Sequence, residues 1–108
     1  TSLRLTSLGF GTTMLGNLYR AVSEEEVFAA TDAAYAAGIR FFDTAPHYGV
    51  GLAERRLGAA LRRFKGEPPI ISTKVGWLTK PALGRPLDES LFASPPPFLE
   101  TSDYSHDG

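Results

Sequence analysis

The chain has 108 residues, with 11 Lys plus Arg against 12 Asp plus Glu, a formal charge of −1 and 43% hydrophobic residues. Near-neutral charge without a long basic run argues against nucleic-acid binding. The absence of Cys excludes disulfide frameworks and thiolate catalysis and permits a reducing compartment, so the cytoplasm is the default expectation.

In chain order, Leu8-Gly9-Phe10 is a short apolar run leading into Gly11-Thr12-Thr13-Met14-Leu15-Gly16. The glycines and hydroxyls of that segment suit a loop where backbone approaches a ligand. Ser23 and Glu26 have the spacing of a capping box, and Glu24 and Glu25 favour the positive end of a helix beginning near Glu24. Val27, Ala30, Thr31 and Ala34 keep helical spacing until Gly38, which can adopt the left-handed conformation that ends helices. Ile39-Arg40-Phe41-Phe42 then reads as a strand ending at Asp43, with Ile39, Phe41 and Asp43 on one face. Pro46, Gly49 and Gly51 stop it from continuing.

Leu52 to Phe64 predicts a second helix, with Ala53, Leu57, Ala60, Leu61 and Phe64 as its apolar stripe. Arg55, Arg56, Arg62, Arg63 and Lys65 are expected to form a solvated charged face. Gly66 and Pro68-Pro69 end that segment. Ile70 to Val75 is a third strand, in which Ile70, Ser72 and Lys74 share a face. Strands separated by helices favour parallel βαβ units, so residues 1 to about 75 read as a βαβαβ core of the α/β class.

From Gly76 to residue 108 the sequence reads as a loop-rich tail, because Pro81, Gly84, Pro86 and Pro95-Pro96-Pro97 disfavour regular elements. Order there is expected to depend on neighbours outside the chain. Asp103-Tyr104-Ser105-His106-Asp107-Gly108 resembles the approach to a helix. No stretch is apolar enough to span a bilayer, and Thr1 to Thr6 lacks signal-peptide zones, so no membrane partner is expected.

The most informative segment is Asp43-Thr44-Ala45-Pro46-His47-Tyr48-Gly49, completed by Lys74. It sets a carboxylate, a phenol and an amine where consecutive strands end. An Asp–Lys pair beside a phenol is a means of moving a phenolic proton near neutral pH. His47 and His106 are scattered and have no metal-ligand spacing, so no metal site is expected and His47 reads as an ordinary polar loop residue.

Leu8-Gly9-Phe10-Gly11-Thr12, Gly38-Ile39-Arg40-Phe41-Phe42-Asp43-Thr44-Ala45, Tyr48-Gly49, Glu54, Leu57-Gly58 and Ser72-Thr73-Lys74 together resemble the opening third of an aldo-keto reductase. Gly76-Trp77 and Asp103 to Gly108 are similar to its sugar and aldose dehydrogenase branch. The resemblance implies a (β/α)₈ TIM barrel, of which residues 1–108 form a partial domain whose barrel is not closed. It implies a nicotinamide cofactor, NADP or NAD, and reversible reduction of aldehydes and ketones or oxidation of sugars and alcohols. Asp43, Tyr48 and Lys74 match catalytic positions, with Tyr48 as general acid and base. Gly11, Thr12, Thr13 and Asp43 match the loop and carboxylate near the cofactor. Tyr19 and Trp77, with Leu18, fall where substrate-pocket walls would stand. The family's further catalytic histidine, after the fourth barrel strand, matches neither His47 nor His106.

Three strands cannot close a barrel that typically takes about 250 residues. The resemblance therefore implies a partner: the remainder of the barrel, on a further segment or a second chain, beside a small carbonyl or sugar substrate. The alternatives are a non-catalytic nucleotide-binding relative and a truncated product without independent activity. Residues 1–108 alone are expected to be unstable, self-associating or inactive, since open sheet edges recruit further strands. Sedimentation and thermal melting check this; a cooperative melt from a monomer with carbonyl-dependent cofactor oxidation would overturn it.

Overall fold

Phe42, with no solvent exposure, sits where a parallel sheet meets the two helices that pack on it. The computed structural model describes residues 2–107. The sheet runs β1 (Phe10–Gly11), β2 (Phe41–Asp43) and β3 (Ile70–Ser72) in spatial order, all parallel. Register pairs Phe10 with Phe42 and Gly11 with Asp43, then Phe42 with Ile71 and Asp43 with Ser72. Each strand is joined to the next through a helix, as parallel pairing requires.

Helix α1 spans Glu24–Ala36 and begins with the anticipated capping box. Ser23 Oγ accepts from the Glu26 amide at 3.1 Å, and Glu26 Oε2 accepts from the Ser23 amide at 2.8 Å. The helix ends in a Schellman turn. Gly38, at φ +90°, donates to the Tyr35 carbonyl, and Ile39 donates to the Ala34 carbonyl, each at 3.1 Å. Val27, Thr31 and Ala34 are buried as their spacing indicates, whereas Ala30 is exposed. Ala30 lies along a groove that follows β1, the free edge of the sheet, so no neighbour covers it.

Helix α2 spans Leu52–Leu61, shorter than its apolar stripe. Phe64, in the turn beyond, still reaches the core and stacks on Tyr35 with ring centroids 4.0 Å apart. Ile71 lies in register with Phe42, on the side the helices cover, yet is 47% exposed. Neither α1 nor α2 extends over it.

Arg56 corrects the expectation of a uniformly solvated charged face. It is half-buried, and its guanidinium donates to the Leu15 carbonyl at 2.7 Å, Asn17 Oδ1 at 2.7 Å and the Val22 carbonyl at 2.8 Å. Burial lowers its pKa from the ordinary arginine value. The planar fork suits this task, since one side chain can satisfy several acceptors of the β1–α1 connection.

The tail is also corrected. Strands β4 (Trp77–Pro81) and β5 (Phe98–Ser102) form an antiparallel ribbon with Trp77 opposite Ser102 and Pro81 opposite Phe98. Pro81 closes one strand and Pro95-Pro96-Pro97 precedes the other. These prolines therefore bound the pairing rather than interrupt it, as edge and terminal positions tolerate a missing N–H. The ribbon is ordered against this chain itself. Ala93 donates to the Asn17 carbonyl and Tyr19 to the Leu91 carbonyl, both at 2.9 Å, and Asn17 Nδ2 donates to the Ala93 carbonyl at 3.0 Å. Residues 103–107 form no helix, and Gly108 lies outside the described residues. Among the described residues no helix is long and apolar enough to cross a membrane.

Arg56→Ala strands three acceptors at once, so it is expected to destabilise the fold by about 3 kcal/mol, with Arg56→Lys recovering only part. Thermal melting, together with proteolytic cleavage rates in the segment 17–22, checks this.

Candidate active site

The three parallel strands end together, so the loops that follow them share one rim of the sheet. Thr12 donates to the Asp43 carbonyl at 3.0 Å and Thr44 to the Ser72 carbonyl at 2.8 Å. Regular pairing ends there, which leaves Lys74 in the loop just past β3 rather than within a strand. Its ammonium turns back to donate to Asp43 Oδ2 at 2.8 Å and to the Thr44 carbonyl at 2.9 Å. The same nitrogen stands 4.9 Å from the Tyr48 ring centroid. Asp43, Tyr48 and Lys74 are therefore brought together.

The side chains of Lys74 and Asp43 are 48% and 36% exposed, so the pair is only partly screened from water. The hydrogen bond to Lys74 is the largest influence holding Asp43 below its ordinary pKa, with a further lowering from Ser72. The hydrogen bond to Asp43 is likewise the main influence raising Lys74, with a smaller contribution from Tyr48. A lowered carboxylate gives stability that is present above its unfolded pKa and lost as pH falls through the folded one. A raised ammonium gives stability that is present below its unfolded pKa and lost as pH rises through the folded one. The ion pair is consequently intact throughout the neutral range.

Glycines set the height of Tyr48. A Cβ built on Gly16 would stand 2.6 Å from the Tyr48 carbonyl carbon and 2.7 Å from the Gly49 nitrogen. Gly49, at φ +64°, meets Gly16 from the other side. Only two glycines let these backbones touch, and their occurrence in loops after consecutive strands was the available sequence signal. Glu54 on α2 accepts from Thr73 Oγ1 at 2.6 Å, bracing the segment that carries Lys74.

The loop after β1 divides. Thr12 is fully buried, its amide is given to Asp43, and its carbonyl accepts from the Leu15 amide at 2.9 Å. Its backbone is thus part of the framework, while its Oγ1 is buried without a hydrogen-bond partner among the described residues. Gly11 is exposed, with nothing within 4 Å of a Cβ built on it, and Thr13 is half-buried. Open space over Gly11 beside the accessible Asp43 carboxylate fits a polar group carrying hydroxyls, such as the ribose of a nicotinamide nucleotide.

Trp77 and Tyr19 are not brought together. Tyr19 is 77% exposed, held at φ 60°, and is not among the residues that line the cleft with Trp77. Leu18 is half-buried and bridged to Phe92. His47, which the sequence presents as an ordinary polar loop residue, has long-range partners. Its Nδ1 lies 2.7 Å from Glu100 Oε2, and its ring stacks on Trp77 at 5.3 Å and meets Phe92 edge-on at 5.5 Å. Glu100 lies more than fifty positions downstream on β5, so no local pattern could have paired them. His106 pairs with Asp107 on the open surface.

Residues 7–91 match the profile of the Aldo/keto reductase family. The chain is 49% identical over 79 residues to a D-threo-aldose 1-dehydrogenase from Pseudomonas sp, an alignment covering 73% of this chain and 24% of that protein. It is 44% identical over 117 aligned positions to a pyridoxal 4-dehydrogenase from Microbacterium luteolum, covering all of this chain and 34% of the relative. The solved structure of the glycerol dehydrogenase AKR11B4 from Gluconobacter oxydans superposes with a TM-score of 0.62 at 27% identity, covering 92% of this chain and 27% of that one. The chain thus spans between a quarter and about a third of the length of these relatives. With the parallel βαβαβ framework and the Asp43, Tyr48 and Lys74 cluster at its rim, this match establishes that the chain belongs to the aldo/keto reductase family.

Proposed function

We propose that this chain supplies the acid–base part of a nicotinamide-dependent oxidoreductase acting on small carbonyls, sugars or alcohols. The observation that carries the reading is the Lys74 ammonium, 2.8 Å from Asp43 and 4.9 Å from the Tyr48 ring centroid. The dehydrogenases of aldose, pyridoxal and glycerol among its relatives support the substrate class. The remaining barrel, on a further segment or a second chain, belongs to the same proposal, as does a cytoplasmic location.

When a carbonyl is reduced, negative charge develops on its oxygen, and in this reading Tyr48 donates the neutralising proton. In the oxidative direction the Tyr48 oxygen receives the alcohol proton. Lys74 stabilises the phenolate between these events by charge, and Asp43 keeps Lys74 charged and oriented. A bound nicotinamide, NADP or NAD, supplies or accepts the hydride. Asp43, Gly11 and Thr13 are the residues that would hold its ribose, through one carboxylate oxygen and an open backbone. Asp43 has an oxygen for each role, since Lys74 engages Oδ2.

In a polypeptide that carries residues 1–108 with the rest of the barrel, Tyr48→Phe is expected to retain nucleotide binding and lose about 10²-fold or more in kcat. Lys74→Met is expected to lose a comparable factor and to shift the pH profile, since the phenolate then has no adjacent cation. Steady-state kinetics beside nucleotide titration checks both. Unchanged turnover in Tyr48→Phe would remove the assigned acid, and nucleotide binding without turnover of any carbonyl would favour the non-catalytic relative.

A further inference from the structure

The ribbon closes a cleft of about 500 Å³ beside the Tyr48 loop, lined among others by His47, Trp77, Phe92, Phe98, Leu99 and Glu100. Its walls are mostly apolar, and its polar groups are few, which is the usual make-up of a small-molecule site. The His47–Glu100 pair stands out among them. An ionised carboxylate only accepts hydrogen bonds, so at 2.7 Å the proton between them is carried by His47 Nδ1. That commits Nδ1 to Glu100 and leaves Nε2 for a hydroxyl, as acceptor in the imidazole or donor in the imidazolium. Nε2 makes no hydrogen bond among the described residues, and the His47 side chain is 41% exposed.

Packing fixes the ring as firmly as the hydrogen bond does. Trp77 stacks on one face at 5.3 Å and Phe92 closes an edge at 5.5 Å. The Glu100 side chain is only 12% exposed, and its Oε1 is buried without a partner. A half-satisfied carboxylate in that setting costs stability. An apolar side chain would serve the ribbon better if docking were its whole purpose.

We propose that His47 is a specificity-determining residue that binds a hydroxyl of the substrate through Nε2, and that Glu100 is the positioning residue that orients it. The inference rests on the reductase reading and narrows its substrates to carbonyl compounds hydroxylated away from the reacting carbon, with His47 as the residue that selects them. Trp77, exposed over 39% of its surface, provides the apolar face against which the carbon chain of such a compound lies. Because His47 immediately precedes Tyr48, recognition and proton transfer are carried on one rigid loop.

The test compares erythrose with butanal, which has the same carbon chain without the hydroxyls, in the polypeptide completed by the rest of the barrel. His47→Phe keeps the stacked ring and removes both nitrogens. It is expected to lower kcat/KM for erythrose about tenfold, chiefly through KM, and to leave butanal within about twofold. Glu100→Leu is expected to reproduce the loss, and Glu100→Gln, which still accepts from Nδ1, to restore most of it. Equal losses on both aldehydes, or none on either, would overturn the proposal by reducing the pair to a structural clasp or a bystander. Calorimetric titration of the same aldehydes reads the discrimination without turnover. Selective binding without reduction would then count against the Tyr48 assignment alone, and reduction without selectivity against His47 alone.

Discussion

Parallel pairing of β2 between β1 and β3 is the constraint on which the rest of this molecule depends. It aligns Gly11, Asp43 and Ser72 in one register, so the residues that follow each strand emerge on one rim. Helices return the chain between strands, and every loop of chemical interest then leaves from the same end of the sheet. A carboxylate and an ammonium 31 positions apart thereby become neighbours, with a phenol beside them.

Alignment would be of little use if the loops were free to wander. Two braces restrain them, and both act on backbone. Arg56 gathers carbonyls and the Asn17 amide oxygen of the β1–α1 connection, while Gly16 and Gly49 bring that connection into direct contact with the Tyr48 loop. Lys74 is then held by Asp43 and the Thr44 carbonyl on one side and lies over the Tyr48 ring on the other. Preorganisation of this kind matters because a small displacement of a proton donor costs much of its effect.

The ribbon of β4 and β5 adds a wall to that rim. It is fastened to the loop after β1 through Asn17 and Ala93, and to the loop after β2 through Glu100 and His47. Asp103 closes the ribbon onto Gly76, whose lack of a side chain leaves room for the Tyr104 ring. A cleft thereby forms beside the loop that carries Tyr48, from residues that are distant in sequence.

Much was legible in the sequence because it is locally encoded. The capping box at Ser23, the Schellman glycine at Gly38, the apolar stripe of α2 and the order of strands follow from contacts within a few residues, and family motifs supplied the identity of Asp43, Tyr48 and Lys74. What failed was decided at longer range. Arg56 looks solvated from the sequence because its acceptors lie in a loop more than thirty positions away. The proline-rich tail reads as irregular because antiparallel pairing depends on a partner strand, and the pairing of His47 depends on Glu100. Periodicity and capping are properties of neighbours along the chain, so composition and spacing determined them; the burial of a polar group and the partner of a charge are set by which distant segments meet, and only the tertiary structure decided those.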